Sequence, residues 1–380
     1  MKIFYWSPFL SNIATVDSVV NSIKSIKKFD KKKEINPYII DATGEWSEKS
    51  DKLKNFQIIK LYKDKFFNSL PKGGYLKSRF SQFLIFILNF TKLKKLIKKE
   101  KPDFFIAHLI ISLPLFLFSI FNFDSKLIIR ISGTPKLNFF RKIYWTFFSK
   151  KVFIVTCPTI STLNSLKKMN IFPEEKLKIL YDPIIYVNKI QNDKKELIED
   201  KFQNKKFILG VGRLTKQKNF NLLINFFSEI NKVYPDLILI IVGEGEQRLN
   251  LERKIKMKKL EDKIFLIGYK KNVFNYIMQS ECFISSSFYE DPGFALIEAG
   301  FLNKIVFAAD SNTGPSEILD NSNRGFLYKN NNSMSLIENF LIFKKMNKEN
   351  LNLKRKNLKK YCRNYSLFSH YKKLRDILFN

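Results

Sequence analysis

Short apolar runs separated by longer amphipathic stretches organise the chain. In its first half, Lys2–Trp6 reads as a strand and Ser18–Phe29 as a helix, with Pro37–Ile40 and Gln57–Leu61 as further strands. Phe104–Ala107, Leu127–Ile131 and Val152–Thr156 continue the series. The second half repeats the scheme. Strands are predicted at Phe207–Val211, Leu237–Val242, Ile264–Ile267, Cys282–Ser285 and Ile305–Ala308. The intervening helices are Asn219–Val233, Glu246–Lys258, Val273–Gln279 and Ala295–Leu302. The strands are nearly all apolar rather than alternating, as expected when both faces of a parallel sheet are covered. Strand and helix in regular alternation predict an α/β fold with helices on both faces.

The length, 380 residues, exceeds what one core holds, roughly 250–300 residues. Two doubly wound, Rossmann-like domains in tandem are therefore expected, facing a cleft. The boundary is placed where Asp182-Pro183 meets the charged stretch Gln191–Glu199, giving domains 1–184 and 185–365. In such sheets ligands bind beyond the carboxyl ends of the strands, so the loops there are the place to look for chemistry.

Charge changes the picture only in part. Lys and Arg number 67 against 35 Asp and Glu, a net +32, which invites a polyanion: nucleic acid, an anionic membrane surface, or a phosphate-bearing substrate. The chain is also rich in Asn, Ile and Phe, so AT-rich coding accounts for some of the excess Lys. No reader motif or basic–aromatic array of a nucleic-acid-binding protein is present. Cys157, Cys282 and Cys362 lie far apart and are odd in number, which points to reduced thiols. With only His108 and His370 to add, they make no compact zinc spacing. No apolar run reaches the ~18–20 residues of a membrane span. The N-terminus lacks the features of a signal peptide. A cytoplasmic protein is expected, soluble or on the cytoplasmic face of a membrane. Arg79–Lys99 sets Phe83, Phe86, Phe90, Leu93 and Ile97 at helical spacing beside Lys92, Lys94, Lys95, Lys98 and Lys99, a basic amphipathic helix able to lie on anionic lipid.

Two loops carry candidate chemistry. After Phe207–Val211 comes Gly212-Arg213-Leu214-Thr215-Lys216-Gln217-Lys218. A glycine for close backbone approach, a helix start and two cations together suit a diphosphate. Gly210-Val211-Gly212 and Gly243-Glu244-Gly245 both lack the third glycine of a dinucleotide fingerprint, which argues against a nicotinamide dehydrogenase. After Cys282–Ser285, Glu290 and Glu298 flank Pro292-Gly293-Phe294 just before an apolar helix. A preference for acids at helix N-termini explains Glu290 and Asp291 but not Glu298 within its apolar run.

Taken in order, Gly-Arg-Leu-x-x-x-Lys, Gly243-Glu244-Gly245, Gly268, the Glu290-x7-Glu298 element, Ser311-Asn312-Thr313-Gly314-Pro315 and Arg324-Gly325-Phe326-Leu327 resemble the retaining family-4 glycosyltransferases of the GT-B fold. The match spans roughly Phe207–Tyr328. The resemblance implies that Gly212, Arg213 and Lys218 hold the donor diphosphate and that Gly268 passes the nucleotide base. It implies Glu298 on the ribose hydroxyls, Glu290 with Gly293 and Phe294 at the donor sugar, and Asn312 and Gly314 against phosphates or sugar. It also implies that the C-terminal helix, Ser366–Phe379 (366–380 of the first domain), crosses back to the first domain and carries a structural His370. His108, at the carboxyl end of Phe104–Ala107, stands where the family commonly has a cleft histidine and is expected to serve transfer. Arg130 and Ser132, in the loop Arg130–Lys136, and Ser11 and Asn12, in place of the family's Gly-Gly, are expected on the acceptor side.

The expected reaction moves a sugar from a UDP- or GDP-linked donor to a lipid-linked or polysaccharide hydroxyl, with retention and with domain closure excluding water. No Asp-x-Asp occurs, so no metal or other cofactor is expected, Arg213 and Lys218 standing in for the cation. A GT-B relative that epimerises or merely binds sugar nucleotides is the alternative.

Overall fold

The computed structural model describes residues 1–10, 14–47, 53–63, 66–71, 74–133, 135, 137–311 and 313–379. Two compact units emerge: Met1–Pro183 with Leu367–Asn380, and Ile184–Ser366.

In the first unit, β1 (Lys2–Trp6), α1 (Ala14–Phe29), β2 (Asn36–Asp41) and β3 (Gln57–Lys60) precede the long helix α2 (Tyr75–Glu100). Then follow β4 (Phe104–Ala107), α3 (Ser112–Ile120), β5 (Lys126–Arg130), α4 (Phe139–Phe148), β6 (Val152–Cys157), α5 (Ile160–Met169) and β7 (Leu177–Ile179). The strands form one sheet in the order β3-β2-β1-β4-β5-β6-β7, with every pairing parallel. Chain order reverses between β1 and β4. Both faces are buried: Ile3, Phe4, Tyr5, Trp6 and Phe105 have almost no accessible surface, each large apolar side chain contributing roughly 1.5–3 kcal/mol.

The second unit runs α6 (Val187–Asp193), β8 (Phe207–Val211), α7 (Phe220–Val233), β9 (Ile238–Val242), α8 (Arg248–Met257), β10 (Ile264–Leu266), α9 (Phe274–Gln279) and β11 (Cys282–Ser285). It continues with α10 (Phe294–Phe301), β12 (Ile305–Asp310), α11 (Gly314–Leu319), β13 (Phe326–Lys329), α12 (Ser333–Lys345) and α13 (Lys348–Cys362). Its sheet, β10-β9-β8-β11-β12-β13, is again parallel, and order reverses between β8 and β11. Aromatic packing fills one side: Phe307 stacks on Phe326 at 4.7 Å and meets Phe343 edge-on at 5.6 Å.

The last helix, α14 (Leu367–Phe379), returns to the first unit and packs on α1. A buried polar chain fastens it. His370 Nδ1 lies 2.7 Å from the Tyr181 carbonyl, which only accepts, so Nδ1 carries the proton. Burial lowers the imidazole pKa to about 4 and keeps the ring neutral. Its Nε2 therefore accepts from Ser22 Oγ at 2.8 Å, and Ser22 Oγ in turn accepts from Tyr5 Oη at 3.0 Å.

Helix α2 departs from the amphipathic face expected of it. Leu93 and Ile97 are buried, and Phe86 and Phe90 pack on Phe116, but Phe83 points outward. Lys92 and Lys94 lie over the rings of Tyr62 and Phe121, at 3.3 and 3.6 Å, while Lys95, Lys98 and Lys99 are exposed. Among the described residues no helix is long and apolar enough to cross a membrane. All three cysteines are buried, and none forms a disulfide among the described residues.

Candidate functional site

In the second unit, the loops beyond β8 to β12 lock together around the point where strand order reverses. The expected helix start at Asn219 is preceded by a 3-10 turn, Lys216–Lys218, and Asn219 takes a left-handed conformation at φ 48° before α7. The turn consumes the Lys218 N–H, which donates to Thr215 O at 3.1 Å. What it presents instead is the side chain. The Lys218 stem lies over Gly212, where a Cβ would sit 3.2 Å from its Cδ, so the bare glycine lets the lysine fold back toward the strand ends.

Gly243 makes the neighbouring contact. A Cβ there would fall 1.9 Å from the Gly212 carbonyl oxygen, so the β9 loop can lie against the β8 loop only without a side chain. Leu214 N donates to Glu244 O at 2.8 Å and Gly243 N to Gly268 O at 2.9 Å, which ties the loop after β10 into the same set.

Glu290 joins the loops after β8, β11 and β12. Its carboxylate forms an ion pair with the Lys218 ammonium and accepts from Ser287 Oγ at 2.7 Å. The Glu290 carbonyl accepts from Thr313 Oγ1 at 2.7 Å and from Gly314 N at 3.2 Å. Ser286 Oγ donates to the Lys218 carbonyl at 2.8 Å, Phe288 N to Gln217 O at 2.9 Å, and Gln217 Nε2 to Tyr289 O at 3.1 Å. Lys218 and Glu290, 72 residues apart, are thus one charged unit braced from three loops. Ser286, Ser287 and Gln217 are not among the site residues that the sequence predicts. The serine run closing an apolar strand was the available signal.

Gly293, at φ 98°, ends that loop and starts α10 with Phe294 half-buried. Glu298 is one turn into the helix, its side chain half-buried. Desolvation pushes its carboxyl pKa up to about 7, against the opposing pull of Lys189. Arg213 is exposed and forms no ion pair among the described residues. The second unit therefore brings Gly212, Arg213, Lys218, Gly268, Glu290, Gly293, Phe294, Glu298 and Gly314 onto the carboxyl edge of one sheet. Asn312 lies outside the described residues. Among the described residues, no group of three His, Cys, Asp or Glu side chains is placed to hold a metal ion.

The first unit corrects two expectations. His108 follows β4 as expected, its N–H donating to Trp6 O at 2.7 Å, but its side chain is buried rather than open. It lines a small internal recess with Tyr5, Ser22, Arg130 and His370. Desolvation first, and then the charges of Arg130 and His370, hold its pKa well below the usual histidine value. Its Nδ1 has no hydrogen-bond partner among the described residues. Arg130 is not an open loop side chain. It ends β5 with its guanidinium buried, 2.5 Å from Asp182 Oδ1 and donating to Leu180 O at 2.8 Å. An ion pair this deeply buried needs such additional hydrogen bonds to be tolerated. Ser132 is exposed and lines a recess of about 310 Å³ with Leu109, Arg130, Ile131, Gly133 and Trp145. Ser11, Asn12, Thr134 and Lys136 lie outside the described residues.

Residues 191–364 match the family described as glycosyl transferases group 1. An uncharacterized glycosyltransferase of Methanocaldococcus jannaschii is 31% identical over 248 residues, 60% of each chain. The N-acetylgalactosamine-N,N'-diacetylbacillosaminyl-diphospho-undecaprenol 4-alpha-N-acetylgalactosaminyltransferase of Campylobacter jejuni is 28% identical over 226 residues, 57% of this chain and 60% of its own. The chain thus spans about 60% of the length of these curated relatives. The crystal structure of Anabaena HepE in complex with UDP superposes over 100% of both chains with a TM-score of 0.75 at 12% identity. A glycosyltransferase from Rickettsia africae follows at 0.74 and 18%, over 99% of this chain and 97% of its own. At such identities the superpositions establish the fold, two Rossmann-like units of the GT-B type. The matched stretch covers almost all of the second unit, so residues 191–364 resemble the group 1 glycosyl transferases, and the superpositions show a GT-B fold.

Proposed function

We propose that this protein transfers a sugar from a nucleotide-diphosphate sugar to a hydroxyl of a lipid-linked or lipopolysaccharide or capsule glycan, with retention of anomeric configuration. One observation carries the reading: in the family-matched unit, Lys218 and Glu290 form a braced charge pair at the reversal point of the sheet, with Arg213 and Glu298 on the same edge.

Arg213 and Lys218 take the diphosphate and offset the charge that develops on the leaving oxygen, in the role a metal fills elsewhere. No metal or other cofactor is proposed. Gly212 lets the Lys218 stem fold over it toward the phosphates, and Gly268 is assigned to the base. Glu298 accepts hydrogen bonds from the ribose hydroxyls. Glu290, with Gly293 and Phe294, faces the donor sugar, and Asn312 and Gly314 are assigned to the phosphates or sugar. The bond from the anomeric carbon to the phosphate oxygen breaks first, through a short-lived ion pair. The acceptor oxygen attacks from the same face, and the departing phosphate oxygen takes its proton.

A UDP-linked donor is favoured by the HepE neighbour, which was crystallised with UDP and with UDP-glucose. A lipid-linked acceptor is favoured by the Campylobacter relative, whose name carries a diphospho-undecaprenol acceptor. Ser132 and its recess are the acceptor side of the first unit, and the reaction is assigned to the cytoplasm. The experiment is a thermal-shift screen against UDP, GDP, ADP and their sugars, with transfer from the best hit measured in EDTA. Stabilisation by a nucleotide sugar and EDTA-resistant transfer are expected. An absolute need for added Mg²⁺ or Mn²⁺ would remove the metal-free part of the proposal.

A further inference from the structure

Beneath the carboxyl edge of the first sheet, two buried polar atoms share one recess. His108, which follows β4, and Arg130, which closes β5, are 5% and 4% exposed. Arg130 directs its Nη1 at the Leu180 carbonyl, 2.8 Å away, and its Nη2 at the Asp182 carboxylate, 2.5 Å away. Its Nε–H has no partner among the described residues, and neither has His108 Nδ1. Both side chains line the recess, about 10 Å³ in volume, with Tyr5, Ser18, Thr156 and His370 around them. Folded interiors rarely leave a buried polar atom unmatched, so two at one place point to a shared partner.

Size and charge select that partner. A single water needs roughly 10–15 Å³ and two to four polar contacts. An anion has no call on the site, because the Asp182 carboxylate already meets the guanidinium charge and the imidazole beside it is neutral. A metal cation would be repelled by Arg130. A molecule that accepts on one side and donates on the other suits a guanidinium N–H facing an imidazole nitrogen. Arg130 also orients the ring. Its positive charge acts on His108, and an imidazole beside a cation turns a lone pair toward it rather than an N–H.

We propose that one internal water binds between Arg130 Nε and His108 Nδ1, accepting from the first and donating to the second, and that it holds His108 as the Nε2–H tautomer. The chain's two histidines are then opposite tautomers, because His370 carries its proton on Nδ1. Toward a ligand at the ends of β4 and β5, His108 is a hydrogen-bond donor through Nε2 and takes no proton there. It is a positioning residue and not a base. Which oxygen it meets rests on the sugar-transfer reading, whereas the water and the tautomer do not.

With two histidines in the chain, both rings can be followed one by one. The test is long-range proton–nitrogen correlation on the full chain carrying isotope-labelled histidine, about one pH unit above the ordinary histidine pKa, with His108→Asn and His370→Asn to assign the rings. A single Nε2–H tautomer is expected for His108 and a single Nδ1–H tautomer for His370. A nuclear Overhauser contact from the His108 Cε1 proton to a long-lived water is expected as well. Arg130→Lys keeps a cation for Asp182 but has no Nε–H. It is expected to lose the water contact and to draw the two His108 nitrogen shifts together as the tautomers mix. An Nδ1–H or doubly protonated His108 in the wild-type protein overturns the proposal, as does a missing water contact. Spectra unchanged in Arg130→Lys overturn it too. If that variant does not fold, the wild-type spectrum decides alone. None of these signals depends on sugar transfer, so a failure of that reading is told apart from a failure of this one.

Discussion

Replacing Lys218 with Ala and Glu290 with Gln is expected to move nucleotide affinity in opposite directions. The Lys218 ammonium already pairs with the Glu290 carboxylate, and both side chains are largely withdrawn from water. A diphosphate arriving at Lys218 becomes its second anion. Two anions on opposite sides of one ammonium sit about 6 Å apart and repel by about 1–3 kcal/mol at an effective dielectric between 80 and 20. Glu290→Gln removes that repulsion and leaves a side chain that still accepts from Ser287 Oγ. UDP is then expected to bind about tenfold tighter. Lys218→Ala removes a charged hydrogen-bond donor, and UDP is expected to bind more weakly by about 1.5–3 kcal/mol. Transfer is expected to fall in both variants, since the Glu290 carboxylate is assigned to the sugar and not to the phosphates. Isothermal titration with UDP and GDP, beside a transfer assay, measures both effects. If Glu290→Gln weakened UDP binding, or Lys218→Ala left it unchanged, the diphosphate would not be held at this pair.

Burial of His370 makes the first unit acid-sensitive. Its folded pKa, about 4, lies below the ordinary value of 6.5, so the unfolded chain takes the proton first. The stability is complete above pH 6.5 and is lost as pH falls toward 4, by about 2 kcal/mol at pH 5. His108 shifts in the same direction and adds to the loss. Denaturant titrations from pH 8 to 5 would show it, and a flat profile would contradict the buried neutral rings. Glu298, raised to about 7, must ionise to accept ribose hydroxyls well, so nucleotide binding near pH 6.5 should release protons and strengthen between pH 6 and 8. Calorimetry in buffers of different ionisation heat measures the release, which Glu298→Gln is expected to abolish. Arg130→Leu would leave the buried Asp182 carboxylate with no cation, only the hydrogen bond from Ser18 Oγ at 2.5 Å, and cost about 3–5 kcal/mol, with denaturation midpoint as the readout. Little loss would mean that Asp182 finds water or another partner.

How far the sequence could be read depended on the range of the interactions. Lys2–Trp6, Phe104–Ala107, Phe207–Val211 and Cys282–Ser285 begin and end where expected, because a strand covered on both faces writes itself as an unbroken apolar run. Leu177–Ile179 and Phe326–Lys329 were not assigned as strands. Both are short edge strands carrying lysine, with one side unpaired and little need for apolar side chains. Glu298 stood out as a carboxylate within an apolar helix. Its raised pKa follows from that setting. The Lys218–Glu290 pair, by contrast, joins loops 72 residues apart in sequence and depends on the crossover that sets β8 beside β11. The misplacements of His108 and Arg130 have the same origin. Whether a side chain at a strand's carboxyl end opens outward or turns inward depends on what lies beneath it. Here that is α14 and the Leu180–Asp182 segment, distant in sequence from both strands. The outward turn of Phe83 on α2 was obscured because helical spacing shows that an apolar stripe exists, not which of two stripes the core takes.

The anomeric signal of the donor, followed by proton NMR with and without a lipid-linked glycan acceptor, tests the central claim most directly. The best-binding nucleotide sugar is expected to be stable alone with the protein. On addition of acceptor it should yield a new glycosidic signal of the same anomeric configuration, with free nucleoside diphosphate appearing in step. An inverted product would contradict retention. Conversion of the donor to an epimer without acceptor would contradict sugar transfer itself.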